Sequence, residues 1–255
     1  MPFQFDTKEN TLLSIPKDTL QFVKEANDLI ESVTTKQWSK NKTYSYTLQN
    51  GQKEQVTTYY QTNKQTKEYW LSRVSTHSLD RYKFEDFAKF IGGVEPKTGK
   101  VESIYKHTEY ETEYIHVLSK WGAIPLDSYP EYQQLESTEH LQKWGSIYAE
   151  YELGAPLTTR QFNEFILVVE PGYFSEDTLF VIQLVSNKPL ENSHVKGVYC
   201  SIERVRLDKA GNCVEWIMAT SSDSGGSVPK WLQNSMISKS VAGDVPSFLN
   251  WLNKK

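Results

Sequence analysis

One long apolar stripe near the C-terminus constrains this chain more than any other feature. Ile237, Val241, Val245, Phe248 and Leu252 recur at steps of four, four, three and four, and Val228, Leu232 and Met236 form an adjoining stripe. One helical face therefore stays apolar for about 25 residues, and something must cover it. Gly243 and Pro246 weaken the same helix. They predict either a kink there or a second helix capped by Asp244.

The cover has to come from strands, because most of the preceding sequence has period two. Tyr44, Tyr46 and Leu48 alternate before Asn50-Gly51, and a second polar-aromatic run ends at Tyr59-Tyr60, the pattern of a β-hairpin. A third strand is predicted over 68–77, and others over 147–153, 162–169, 179–185, 198–207 and 213–220. Leu20, Val23, Ala26, Ile30 and Val33 predict a helix over 14–33 with Pro16 in its first turn. Phe84, Phe87, Phe90 and Ile91 predict another that Gly92-Gly93 stops. Tyr110, Tyr114, Leu118 and Trp121 keep helical steps, and Thr108 with Glu111 forms a capping box, so a helix is expected over 108–121. Residues 122–139 read as irregular. This order predicts one α+β domain over 1–255, with a curved antiparallel sheet wrapped around the last helix.

Composition is compatible with that plan and narrows function. The 255 residues suffice for a sizeable core. The chain holds 7 Trp, 15 Tyr and 11 Phe beside a hydrophobic fraction of only 38%, so rings with polar tips supply much of the apolar surface. That suits a core with wet edges, or a cavity that is both apolar and selective. The longest obvious apolar run, Phe165 to Val169, is too short to cross a bilayer. Met1 to Asp6 shows no secretory pattern, and a cytoplasmic location is expected. A net charge of −4 without a Lys/Arg cluster argues against nucleic acid as a partner. Cys200 and Cys213 fit neither a disulfide framework nor a metal-ligand spacing and are expected to be free thiols.

No motif for phosphate, zinc, calcium or a nucleophile elbow is present, so no catalytic residue, cofactor or metal is assigned. The five histidines, His77, His107, His116, His140 and His194, form no i, i+4 ligand pair with one another and read as structural or surface residues. Gly225-Gly226 lacks the Lys-Ser/Thr of a phosphate loop and reads as a strand-to-helix corner. The charged strand Ile202-Glu-Arg-Val-Arg-Leu207 changes character on both faces. Either a bulge leaves every charge wet, or Glu203 or Arg206 enters the apolar interior and pairs with Arg73 or Glu215. Burying such a charge costs several kcal/mol unless it is paired, so an interior pair would mark a ligand's polar group.

Two segments resemble the START (StAR-related lipid transfer) family. Tyr151-Glu-Leu-Gly-Ala-Pro-Leu-Thr-Thr-Arg-Gln-Phe162 is similar to the family's strand, gate loop and following strand start, with Gln161 in place of the usual Asp. Asp223-Ser-Gly-Gly-Ser-Val-Pro-Lys-Trp-Leu232 with Val245-Pro-Ser-Phe-Leu249 is similar to its last strand, Gly-Gly corner and terminal helix. Trp70-Leu-Ser-Arg-Val-Ser-Thr-His77, His107-Thr-Glu-Tyr-Glu-Thr-Glu-Tyr-Ile115 and Glu215-Trp-Ile-Met-Ala-Thr-Ser-Ser-Asp223 further resemble a fungal START-like branch catalogued as a domain of unknown function. The similar blocks span about 70–251; residues 1–65 match in element order only.

The resemblance implies a helix-grip fold enclosing one lipid, a phospholipid or a sterol, in a tunnel between sheet and helix, without covalent chemistry. It places Trp231, Leu232, Ser235 or Met236, Val241, Phe248 and Leu249 on the lid wall, and Tyr151, Trp216 and Met218 on the opposite wall. Arg73 is the first candidate for a headgroup contact, followed by Arg206 and Glu203, while Arg160 would fix the loop-strand corner. Gly154, Ala155 and Pro156 would gate the tunnel, with transient membrane contact there and at Lys254-Lys255. The alternatives are a ligand-sensing module, or a helix-grip cyclase or hydrolase using His77 with Glu203.

Overall fold

The computed structural model describes residues 2–35, 37–64, 66–154, 158–226 and 230–255, apart from the side chains of 230–232 and 234–235. Asp18 caps the first helix, α1 (Thr19–Thr34), by accepting from the Gln21 amide. The helix thus begins five residues later than expected, and Pro16 precedes it. Its buried face runs through Phe22, Val23, Ala26, Ile30 and Val33, which leaves Leu20 exposed, contrary to the pattern first read from it.

The hairpin forms as expected: β1 (Ser39–Thr47) and β2 (Lys53–Thr62) turn at Gly51, whose φ of 83° suits glycine. β3 (Tyr69–Ser78) follows. Then comes α2 (Phe84–Gly92), ended by Gly93 in the left-handed conformation. A two-residue pair, β4 (Val94–Glu95) and β5 (Lys100–Val101), leads to α3 (Lys106–Tyr114).

Here the helix expected over 108–121 is corrected. Its N-cap is Tyr105, Thr108 is buried inside it, and it stops after Tyr114. Leu118 and Trp121 belong to β6 (Leu118–Ala123), where they pair with Tyr151 and Ala149. Backbone pairing to the next strand overrides an apolar spacing that happened to fit a helix.

Residues 126–143 form three short 3-10 turns. β7 (Trp144–Tyr151), β8 (Arg160–Val169), β9 (Thr178–Val185), β10 (Val195–Asp208) and β11 (Cys213–Asp223) complete a nine-stranded sheet of order β1-β2-β3-β11-β10-β9-β8-β7-β6. α4 (Lys230–Leu252) is continuous through Gly243 and Pro246, which settles the choice left open by the sequence.

Alternation divides the sheet cleanly. Phe165, Leu167, Phe180, Ile182, Cys200, Ile202 and Ile217 pack toward α1, while Ile166, Val168, Leu179, Val181, Val205 and Trp216 pack toward α2 and the end of α4. β10 and β11 pair without a register shift from Val198–Asp223 to Asp208–Cys213, so no bulge swaps their faces. Glu203 therefore lies on one face, and Arg204 and Arg206 on the other. Both cysteines are free, as expected. No helix is long and apolar enough to cross a membrane among the described residues.

Candidate functional site

The first half of α4 rests on the β1–β3 side of the sheet, where Ser238 hydrogen-bonds to Tyr44 and Thr58 and Val241 packs with Leu71 and Met218, and it leaves a gap over β8–β10. This gap is a cavity of about 340 Å³, at the lower end of the ~300–1,000 Å³ usual for small-molecule sites. The sheet contributes Arg73, Phe162, Glu164, Gln183, Tyr199, Glu203, Trp216 and Met218. α4 contributes Gln233, Met236, Ile237, Ser240, Val241 and Asp244. Glu111, Tyr114, Ile115 and Val117 close one side, and Tyr151, Leu153, Ser222 and Ser224 complete the lining.

Arg73 is the centre of its charge. The register aligns Arg73, Met218 and Glu203 across three strands, so the two charged side chains flank Met218 on the same face. Arg73 Nη2 donates to Glu203 Oε1 at 2.7 Å; the same oxygen accepts from Trp216 Nε1 at 2.7 Å. The guanidinium lies 4.0 Å from the Trp216 ring centroid. Arg73 is only 2% exposed, yet its Nε and Nη1 have no hydrogen-bond partner among the described residues. A buried donor left unmade is costly, so these two atoms point to an absent acceptor.

Around this pair lie three further carboxyls. Gln183 Nε2 donates to Glu164 Oε2 at 2.8 Å, and Ser201 Oγ in turn donates to Gln183 Oε1 at 2.9 Å. Burial, with the charge of Glu111 behind it, pushes Glu164 up to about 8. Burial also raises Asp244 to about 7; Arg73 opposes this, while Glu111 and Glu203 add to it. Glu111 is raised by burial and held back by His107, whose Nε2 lies 3.5 Å away while its Nδ1 donates to the Ile91 carbonyl at 2.7 Å. Tyr114, Tyr151 and Tyr199 are pushed upward by burial and by neighbouring acids, which keeps their phenols neutral.

Of the residues singled out from sequence, Arg73, Tyr151, Glu203, Trp216, Met218, Met236 and Val241 line this cavity. Phe248 and Leu249 do not. α4 presses its second half onto the sheet and the neighbouring helices, and Phe248 is fully buried among Phe87, Tyr114, Trp216 and Trp251. Arg206 is also corrected: unbroken alternation puts it on the opposite face, 2.9 Å from both Glu31 and Glu215. His77 is not joined to Glu203, because Glu54 and Ser75 occupy its two nitrogens. Gly154 has a φ of 79°, while Ala155 and Pro156 lie outside the described residues, as do the side chains of Trp231, Leu232 and Ser235.

Sequence reading missed Glu111, Glu164, Gln183, Tyr199 and Asp244. A signal existed for Glu164, a charge immediately before the apolar run from Phe165 to Val169, and for Tyr199, which shares a strand face with Glu203. Asp244 had been read only as a possible helix cap.

Arg160 holds the corner at the cavity's end. Its Nε donates to the Ser224 carbonyl at 2.8 Å, and its Nη1 to Thr158 O and Oγ1 at 2.6 and 2.7 Å. Gly225 has a φ of 67°, and a Cβ there would strike the Lys196 carbonyl, so the corner requires glycine.

A long sheet gripping a terminal helix, with a cavity between them, defines a START-like helix-grip domain. The chain belongs to the family described as "Protein of unknown function (DUF3074)", which matches residues 70–252. No curated protein matches its sequence. Among solved structures, human STARD10 is similar with a TM-score of 0.61 at 12% identity, covering 97% of this chain and 82% of that one. Human StAR-related lipid transfer protein 5 has a TM-score of 0.55 at 12% identity, covering 91% and 97%. A STAR-related lipid transfer protein fragment from Xanthomonas axonopodis has a TM-score of 0.57 at 12% identity, covering 85% and 99%. At such identities the likeness is one of fold.

Proposed function

We propose that this protein binds one lipid in the cavity beneath α4 and carries it between membranes without chemical change. The observation that supports this most is Arg73, a dry cation with two unused donors in a largely apolar cavity. An amphiphile satisfies both features at once, its polar head taking the free donors and its chain the apolar lining. Each methylene withdrawn from water contributes roughly 0.8 kcal/mol, so a dozen suffice for firm binding. The fold shared with lipid transfer proteins supports the same reading. Phospholipid and sterol remain the first ligand classes to examine, and a cytoplasmic carrier is the expected context.

Access would be through the segment at 154–156 and by displacement of α4. Val117 and Met236, 40% and 50% exposed, both line the cavity, so apolar surface reaches its rim, where a membrane would be touched. The test is native mass spectrometry with lipid extraction after expression in a eukaryotic host, followed by transfer between liposomes. A stoichiometric lipid that moves between vesicles is expected. A protein that is empty and takes up no lipid overturns the reading.

A further inference from the structure

The cavity's charge is unusual for a site that would hold an anion. Among the described residues lining it, Arg73 is the sole Lys or Arg, whereas Glu111, Glu164, Glu203 and Asp244 are acids contributed by four different elements. The Arg73 charge is already balanced by Glu203 at 2.7 Å. An anionic head placed at Arg73 would meet that carboxylate at once, with the other three acids around it. Arg73 therefore offers hydrogen bonds more than net charge, and its free Nε and Nη1 call for a neutral oxygen acceptor.

Glu164 supplies the complementary half. It is 3% exposed and oriented by Gln183 and Ser201, and the bond from Gln183 falls on Oε2. An ionised carboxylate accepts at both oxygens, so a donor arriving from the cavity has an acceptor prepared for it. Among the described residues, no Lys or Arg lines the cavity near Glu164 to fill that role. A protonated amine from the ligand would.

Size narrows the rest. At about 340 Å³ the cavity stands at the lower end of the ~300–1,000 Å³ usual for small-molecule sites. That suits one chain with a small head. A lipid with two full acyl chains needs a larger space.

We propose that the ligand is a single-chain amphiphile with an amino-alcohol head, whose ammonium is held by Glu164 with support from Glu111 and Asp244, and whose hydroxyl oxygen accepts from Arg73. This rests on the lipid-binding reading above and names the ligand class for the same cavity. The groups facing the ammonium are Arg73 on β3, Glu111 and Tyr114 on α3, Tyr151 on β7, Glu164 on β8, Tyr199 and Glu203 on β10, and Asp244 on α4. Because Glu164 is raised to about 8 by burial, an arriving ammonium converts it to carboxylate and releases a proton.

The test uses three probes with a twelve-carbon chain, 1-amino-2-dodecanol, dodecanol and dodecanoate, each below its micelle concentration. Affinity is followed by tryptophan fluorescence and calorimetry at pH 7. The amino alcohol is expected to bind at least tenfold tighter than dodecanol, and dodecanoate more weakly than dodecanol. Calorimetry in buffers of different ionisation enthalpy is expected to show about one proton released on binding the amino alcohol and none with dodecanol. Glu164→Gln should bring the amino alcohol within threefold of dodecanol. Glu113→Gln, which removes an exposed charge from α3 outside the cavity, should leave the tenfold preference intact.

Dodecanoate binding as tightly as the amino alcohol overturns the proposal, as does a preference that survives Glu164→Gln or disappears in Glu113→Gln. If the three probes fail to bind while a two-chain lipid co-purifies and transfers, the amino-alcohol assignment falls and the lipid reading stands. If no amphiphile binds, both fall.

Discussion

Two buried arginines on opposite faces of one sheet show how differently the same charge is used. Arg204, facing α1, has its side chain 1% exposed. Its Nη1 donates to Asn27 at 2.7 Å and to Glu31, and its Nη2 donates to Glu215 at 2.7 Å. Arg73, facing α4, is 3% exposed at its side chain and, among the described residues, has Glu203 alone as a hydrogen-bonding partner, with Trp216 beneath it. α1 lies close enough to the sheet for its carboxylate to reach Arg204. The first half of α4 rests on β1–β3 and leaves a space over β8–β10, which is the cavity. A chain selected only for stability could treat both arginines like Arg204, or replace them with packed apolar groups.

The carboxyls around the two cations carry the same contrast into pH, and this yields the largest expected effect. Glu164 is raised to about 8 and Asp244 to about 7 in the folded protein. The unfolded chain loses these protons near the ordinary carboxylate range, so between those limits the folded state binds more protons. Stability therefore falls as pH rises. For Glu164 each unit costs about 1.4 kcal/mol, on the order of 4 kcal/mol between pH 5 and 8, and Tm should fall by roughly 10 °C. The decline levels off above pH 8. Glu164→Gln should flatten the upper part of this curve and raise Tm at pH 8. A stability rising from pH 5 to 8 in the unmodified protein would show that the cavity acids do not behave as a dry cluster.

Exchanging the two arginines for methionine comes next in size. Arg204→Met removes the buried one of the two cations that Glu31 and Glu215 share, leaving the half-exposed Arg206 2.9 Å from both, and should cost about 2–3 kcal/mol, a fall of roughly 4–12 °C in Tm. Lipid uptake should be unaffected. Arg73→Met should do the reverse. Glu203 keeps the Trp216 hydrogen bond, so Tm should change by less than half as much, while lipid affinity falls at least tenfold. Thermal melts and uptake assays on both variants decide it. Equal effects of the two substitutions on uptake would erase the distinction between the faces.

Much of this architecture was readable beforehand, and the exceptions share a cause. The strands of 160–223 announced themselves because alternation and hairpin turns are local. The Arg73–Glu203 pair could be anticipated because a charge in an apolar strand needs a partner. Phe248 and Arg206 were misplaced because spacing fixes which face a residue shares, and not what covers that face. Phe248 lies on the expected side of α4, but it packs there against the sheet and α2, whereas the cavity opens beside the stretch from Gln233 to Asp244. Arg206 was left open by the same uncertainty, since only an unbroken register shows that it must oppose Glu203. Glu111 and Asp244 come together with Glu164 through tertiary packing between α3, α4 and β8, which no local pattern encodes.

The smallest effect has the opposite sign and sits on the α1 face. Burial would raise Glu31, but the hydrogen bonds and charges of Arg204 and Arg206 outweigh it and hold the carboxyl below its ordinary value. A depressed carboxyl contributes stability above its unfolded value that is lost as pH falls through the folded one. Glu31 is 41% exposed at its side chain, so solvent screens the interaction and its contribution should be under about 1 kcal/mol. Glu31→Gln should therefore lower Tm by no more than a few degrees at pH 7, by less in 1 M salt, and by progressively less as acid protonates the native carboxyl. Parallel melts at pH 7 and pH 3 test this directly. A deficit that persists undiminished at pH 3 would mean that Glu31 acts through packing against α1 instead of through its charge. A change in lipid uptake in the same variant would mean that the two faces are coupled through the sheet, which their separate sets of contacts do not predict.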